Sequence, residues 1–328
     1  MEKRYFGTLP SGEEASLYTI GSGDMILTVT DFGAAVVSLE VYGRDVVGGF
    51  DKLEGYLLDN SHQGGTIGRI ANRVAKAKFS MDGRVYSLPK NDGENCLHGG
   101  NGFDRRMWAV SEHDENSITL TYHSPDGEEG FPSGLDVSAT YRVNATDLCI
   151  EYRAVPDGRT PISMTNHTYF NLDGLGGTIL EHKACIFANE YTEVDDSLIP
   201  TGKRPSVTGT VFDLREAKAI GTYVGEDFVG YDHNFILYPN NSDNLTRAAC
   251  VTGKDLSMTV YTDQPCIQFY IGNFLGNGQD FKGGIKEVLH GAFCLETQTE
   301  PNSVNRGEGF YSAGEEYLHR VVYSFSKV

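Results

Sequence analysis

The chain has 328 residues, a hydrophobic fraction of 39% and a formal net charge of −18 at neutral pH. That length can hold a large core, and all-β domains of this size often form one unit, so a single domain over residues 1–328 is expected. Such acidity argues against nucleic acid, an anionic membrane or a strongly anionic substrate as partner, because each needs a footprint of Lys and Arg. The six cysteines (Cys96, Cys149, Cys185, Cys250, Cys266, Cys294) include no Cys-x-x-Cys pair, which speaks against a zinc ribbon or a redox dithiol. The first residues, Met-Glu-Lys-Arg-Tyr-Phe-Gly, lead into no apolar stretch, and no apolar run approaches membrane-spanning length. A soluble, cytoplasmic protein is the expectation.

In chain order, Leu53 to Leu58 reads as a helical turn or two. Lys78 to Tyr86 reads as a hairpin whose Asp82-Gly83 suits a type I′ turn. Ile118 to Tyr122, Leu135 to Val143 and Leu148 to Ala154 alternate apolar and polar residues with period two, the mark of half-buried strands. Leu214 to Ile220 could form another helical turn, and the Asn-rich stretch Pro239 to Thr246 reads as a loop within one domain. Leu256 to Thr262 and Arg320 to Phe325 return to strand alternation. The expected class is all-β with large packed antiparallel sheets; periodicity does not choose between sandwich, barrel and propeller.

Several words are too polar for the strands they resemble. Asn72 and Arg73, in Gly68-Arg69-Ile70-Ala71-Asn72-Arg73-Val74, offer planar donors suited to hydroxyl groups, though a surface loop would look similar. His98 precedes Gly99-Gly100 in a Gly-rich loop, where backbone can approach a ligand or the imidazole can simply be solvated. His167 lies in Thr165-Asn166-His167-Thr168-Tyr169-Phe170-Asn171 and carries the strongest signal, since a satisfied core histidine rarely has so polar a setting. Of Asp232 and His233 only one can face a given side of a strand. Gln268 interrupts an apolar strand, and Glu296 follows Ala292-Phe293-Cys294-Leu295, where desolvation would lift its pKa towards use as a base; a structural salt bridge is the competing view. His62, His113, His123, His182, His290 and His319 stand in charged or turn-like contexts and are read as structural. No metal-ligand spacing, phosphate loop, dinucleotide fingerprint or Gly-x-Ser-x-Gly elbow occurs. The residues therefore suggest proton transfer on a polyhydroxylated small molecule.

Taken together, the words resemble the aldose 1-epimerase (galactose mutarotase) family over nearly the whole chain. The matching pieces are Thr28 to Ala34, Asp45 to Phe50, Gly65 to Arg73, Leu97 to Gly100, Thr165 to Leu172, Tyr231 to His233, Gln268 to Tyr270 with Gly272 to Leu275, and Leu295 to Gln298. The resemblance implies a large antiparallel β-sandwich with an open sugar-binding cleft. It implies Glu296 as base, His167 as acid, and His98 assisting at the ring-oxygen side. Asn72, Arg73, Asp232 and Gln268 would hold hydroxyls, with Asp232 and not His233 facing the ligand. No cofactor and no metal are implied, and the partner would be a free monosaccharide. His167 would need a nearby negative charge to keep its proton. The chain departs from the family at Asn302, where an Asp is frequent, and in Arg306-Gly307-Glu308-Gly309. The rivals are a glycoside hydrolase using Asp232 and Glu296 as its carboxylates, and a non-catalytic sugar-binding protein on the same scaffold.

Overall fold

Alternating sequences bury one face of a strand and wet the other, and here they assemble into antiparallel sheets that share one core. The computed structural model describes residues 2–238 and 245–328. A nine-stranded sheet runs in the order Ala109–His113, Ser117–Ser124, Leu135–Val143, Asp147–Pro156, Tyr317–Lys327, Leu256–Thr262, Thr246–Thr252, Lys183–Ile186, Lys218–Ala219. The last long strand, Tyr317–Lys327, thus sits in the middle of the sheet, paired to Asp147–Pro156 on one side and Leu256–Thr262 on the other. A five-stranded meander, Glu2–Thr8 to Arg44–Asp45, covers its apolar face. Leu27, Val29, Val36 and Leu39 of the meander meet Leu120, Val137, Ile150 and Val260 of the large sheet in one buried cluster, which gives the sandwich.

The expected strands are present, each at or just beyond its expected limits, and Leu53–Leu58 is a short α-helix. The Lys78–Met81 and Arg84–Ser87 strands are joined by Asp82 (φ 51°) and Gly83 (φ 75°), both in the left-handed region that a type I′ turn requires. Leu214 to Ile220 differs from expectation. It forms no helix; Lys218–Ala219 is an edge strand, and a 3₁₀ turn follows at Ile220–Tyr223. Of the Asn-rich loop at Pro239 to Thr246, residues 239–244 lie outside the described residues. Among the described residues, no helix is long and apolar enough to cross a membrane.

A third sheet positions the chemistry. Its four strands are Ala188–Tyr191, Asp232–Leu237, Cys266–Tyr270 and Cys294–Gln298, in that order. One face presents Phe235, Ile267, Phe269 and Leu295 to the main core. The other face is the polar one.

Candidate active site

Register decides which side chains share that polar face. Asn234 pairs with Gln268, which pairs with Glu296; one step along, Asp232 pairs with Tyr270, which pairs with Cys294. Residues directly opposite, and those two apart, project to the same side. Asp232, Gln268, Tyr270, Cys294 and Glu296 therefore form one wall. Gln268 Nε2 donates to Asp232 Oδ1 at 2.7 Å, so the amide holds the carboxylate in place. His233 projects the other way, against the rings of Phe212 (4.5 Å between centroids), Tyr191 and Phe228, and its Nδ1 accepts the Asp232 N–H at 3.1 Å. The alternation left open by the sequence is settled geometrically: Asp232 lines the cleft.

The facing wall comes from a two-residue ladder in which Arg73–Val74 pairs with Cys96–Leu97. It places Asn72 and Arg73 beside His98. Asn72 N donates to His98 Nδ1 at 3.2 Å and His98 N donates to Asn72 O at 3.1 Å. Both residues hold left-handed backbone, at φ 63° and 54°, a cost that non-glycine residues carry mostly at functional positions. Gly99 makes the close approach possible: a β-carbon there would sit 2.4 Å from the Gly68 carbonyl oxygen. Arg73 Nε donates to Asp92 Oδ2 at 2.8 Å. His98 is buried, not solvated.

His167 closes the constellation. The strand Thr165–Asn166 pairs with Thr66–Ile67, and His167 N donates to Gly65 O at 3.0 Å. Its Nε2 lies 3.8 Å from Glu296 Oε1 and its Nδ1 lies 3.6 Å from Cys294 Sγ. Both His167 and Glu296 are almost wholly buried, at 6% and 2% exposure, and Glu296 Oε2 has no protein partner. Among the described residues, Glu296 forms no salt bridge to Lys or Arg of the kind that would have made it merely structural.

Burial dominates the electrostatics. It lifts the Glu296 carboxyl well above the usual carboxylate range, and the neighbouring Asp232 charge lifts it further against a smaller opposing pull from Arg73. Burial and then His62 drive His167 down to about 3, against an opposing lift from a backbone hydrogen bond and the Asp104 carboxylate. The proton of the pair therefore rests on Glu296, not on His167 as the sequence suggested. A neutral pair and a Glu296⁻/His167⁺ ion pair carry the same single proton, and 3.8 Å between them lets a bound hydroxyl bridge the two. His98 is likewise held neutral by burial, then by His62, His167 and Arg73. The Cys294 thiol is kept protonated by burial and the adjacent Glu296 and Asp232.

The ligand atoms of His98, His167 and Glu296 lie within 4.8 Å of one another, close enough to raise the question of a metal. The tautomer of His98 answers it. Nδ1 accepts a backbone N–H, so the proton of the neutral ring sits on Nε2, which makes that nitrogen a donor to oxygen and not a metal ligand.

All seven residues singled out in the sequence, Asn72, Arg73, His98, His167, Asp232, Gln268 and Glu296, line one open cleft of about 730 Å³. That is within the range of small-molecule sites. Arg73 is the one Lys or Arg of the lining among the described residues, beside Asp59, Asp92, Asp232, Glu287 and Glu296, which suits a neutral ligand. One lining residue was misread. His62, structural by its sequence context, faces the cleft with its ring 4.8 Å from that of His98 and 5.8 Å from that of His167. A signal existed: glycines follow His62 at Gly64-Gly65 much as they follow His98 at Gly99-Gly100. Tyr169 and Tyr270 also line the cleft, within words already noted but without an assigned part.

Comparison with known proteins follows the same direction. The family model described as aldose 1-epimerase matches residues 16–324. The chain is 40% identical to galactose mutarotase of Bos taurus over 333 residues, covering 98% of this chain and 97% of that protein. It is 36% identical to aldose 1-epimerase of Escherichia coli (strain K12) over 336 residues, covering 96% of each. A GalM/aldose epimerase homologue from C. elegans has a TM-score of 0.89 at 29% identity, over 96% of this chain and 99% of that one. Galactose 1-epimerase from Lactobacillus acidophilus NCFM has a TM-score of 0.88 at 27% identity, over 100% and 99%.

Proposed function

The chain belongs to the aldose 1-epimerase family, and we propose that its cleft opens and closes a sugar ring with Glu296 as base and His167 as acid. The enzyme interconverts the α- and β-anomers of a free aldohexose such as galactose or glucose. Glu296 takes the proton of the C1 hydroxyl while His167 gives one to the ring oxygen, and the C1–O5 bond breaks to leave the open-chain aldehyde. Rotation about C1–C2 presents the other carbonyl face. Closure returns both protons, so the pair ends with the single proton it began with. Using base and acid together avoids a free alkoxide or oxocarbenium ion, and each group contributes ~10²–10⁴-fold. His98 donates from Nε2 at the ring-oxygen side, while Asn72, Arg73, Asp232 and Gln268 fix the remaining hydroxyls. No cofactor takes part in these steps.

The observation that carries this reading is the buried Glu296–His167 pair, 3.8 Å apart and, among the described residues, without a Lys or Arg partner, in the lining of a polar cleft. A glycoside hydrolase needs carboxylates on either side of the bond it cleaves. Asp232 and Glu296 stand on one sheet face, and Asp232 is engaged by Gln268. The reading includes one domain across residues 1–328, because the cleft draws on residues from Leu58 to Glu296. It also includes a cytoplasmic setting without nucleic-acid or membrane partners, supported by six free thiols and a net charge of −18. Polarimetry of freshly dissolved α-galactose or α-glucose tests the function: the protein should speed the approach to equilibrium rotation. No acceleration with either sugar, or release of phenol from aryl glycosides, contradicts it.

A further inference from the structure

The proposed acid, His167, is short of negative charge. Glu296 must alternate with it as proton donor and acceptor, so Glu296 cannot also serve as a permanent counter-ion. Behind the cleft wall lies a second carboxylate that nothing in the acid–base scheme uses. Asp104 is buried, with Oδ2 at 2.8 Å from His62 Nδ1 and at 3.3 Å from Arg105 Nε, while Oδ1 has no partner. Burial alone would neutralise it; His62 and Arg105 more than offset that, and the carboxyl is held below its ordinary range as an anion. A buried charge with one oxygen unsatisfied costs stability, and such costs persist where the charge is used.

The fold ties this carboxylate to the acid through His62. Asp59 organises the loop that carries His62 by accepting from Ser61 N (2.8 Å) and Gln63 N (3.0 Å). Gly65 joins the three parts. Its N–H donates to His62 O, its carbonyl accepts His167 N, each at 3.0 Å, and a β-carbon on it would sit 2.7 Å from Asp104 Cβ. With Nδ1–H donating to Asp104, the His62 ring is fixed in orientation against both His98 and His167. Arg105 spends its other donors on the carbonyls of Tyr56 and Asp59, so it only partly screens the carboxylate.

We propose that Asp104 and His62 are positioning residues: the His62 ring, held by Asp104, orients His167, and the Asp104 carboxylate stabilises the imidazolium form of His167 during ring opening. The inference rests on the acid–base reading above and adds the charge that reading lacks. Asp104 raises the proton affinity of His167 while the His62 ring opposes it, so the stabilising charge is the carboxylate's and the part of His62 is orientation. Glu296, Asp232, His98 and Arg73 line the cleft around the pair, Cys294 Sγ lies at His167 Nδ1, and the Asp232 carboxylate is engaged by Gln268.

The test uses the full chain with His62→Phe, Asp104→Asn and the double variant, each checked by circular dichroism, with kcat and KM from polarimetry. His62→Phe keeps a ring against His98 and His167 but cuts the link to Asp104; Asp104→Asn keeps an acceptor but removes the charge. Each should lower kcat about 10-fold, Asp104→Asn by removing the charge and His62→Phe by freeing the His167 ring, with KM within about twofold. The double variant should be no worse than either single one, since the couple acts as a unit. If His62→Phe does not fold, Asp104→Asn decides by the same split. A folded variant with wild-type kcat, or one in which KM rises and kcat does not fall, overturns the proposal. Glu296→Gln in the same assay separates the two claims. If it is inactive while the couple variants match wild type, the couple alone is wrong; if it is fully active, the acid–base reading is wrong.

Discussion

At the scale of single residues, what decides the chemistry is which side chain a strand turns inward. Asp232→Ala should remove a hydroxyl contact and its link to Gln268, raising KM by roughly 10- to 100-fold, as for a charged hydrogen bond of roughly 1.5–3 kcal/mol. His233→Ala should leave kcat and KM near wild type and lower only stability, because that ring packs on Phe212. Steady-state kinetics giving the opposite pattern would reverse the assignment. The pH profile follows from proton count. An unperturbed Glu–His pair holds one proton only between about 4.3 and 6.5; below that window it lacks a base, and above it an acid. Here burial pushes His167 down to about 3, so the lower edge of the one-proton window moves down, and the upper edge is set by Glu296, raised well above its ordinary range. kcat should therefore stay level as pH falls through about 4.3, and a fall with an apparent pKa near 4.3 would show that burial does not set these values. The same burial has a stability cost. The unfolded Glu296 carboxyl ionises above its ordinary pKa while the folded one keeps its proton, so its contribution is present at low pH and lost as pH rises. Glu296→Gln should then raise the melting temperature at pH 7 and lose that advantage near pH 4. His167 and Glu296 were legible in the sequence because polar residues stood in strand-like words. His62 was not, because its part depends on Asp104, 42 positions away in the chain.

At the scale of elements, the cleft depends on short pieces more than on long strands. The ladder of Arg73–Val74 with Cys96–Leu97 spans two residues on each side, yet it brings Asn72, Arg73 and His98 together. Gly99 (φ 78°) is its weak point. Gly99→Ala places a methyl 2.4 Å from Gly68 O in a left-handed backbone, which should shift the His98 loop, raise KM and lower kcat in a protein that still folds. Unchanged kinetics would mean that His98 does not need this backbone path. Asn302, where the chain departs from the family, bears on the same segment: its N–H donates to Arg73 O and its Oδ1 accepts from Ala75 N. Period-two strands such as Leu135–Val143 and Leu256–Thr262 were legible to the residue, since alternation is a local property. Leu214 to Ile220 was misread for the complementary reason: Lys218–Ala219 is a strand only because Lys183–Ile186 offers it an edge.

At the scale of the whole molecule, sandwich rather than barrel or propeller was beyond local patterning. The arrangement turns on Tyr317–Lys327 entering between strands that end at Pro156 and begin at Leu256. That order also makes the third sheet a platform whose back face joins the common core and whose front face carries Asp232, Gln268 and Glu296. The central claim is that Glu296 and His167 move the protons. Its most direct test is the kcat of Glu296→Gln and His167→Asn, singly and together, with galactose or glucose, alongside sugar binding by calorimetry. The amide of Gln is nearly isosteric but cannot accept the C1 proton. Binding should stay near wild type, kcat should fall by ~10²-fold or more in each single variant, and the double variant should be little worse, because a concerted step fails once either partner is gone. A folded, sugar-binding Glu296→Gln protein that mutarotates at the wild-type rate would contradict the account and make Asp232 the first candidate for the base.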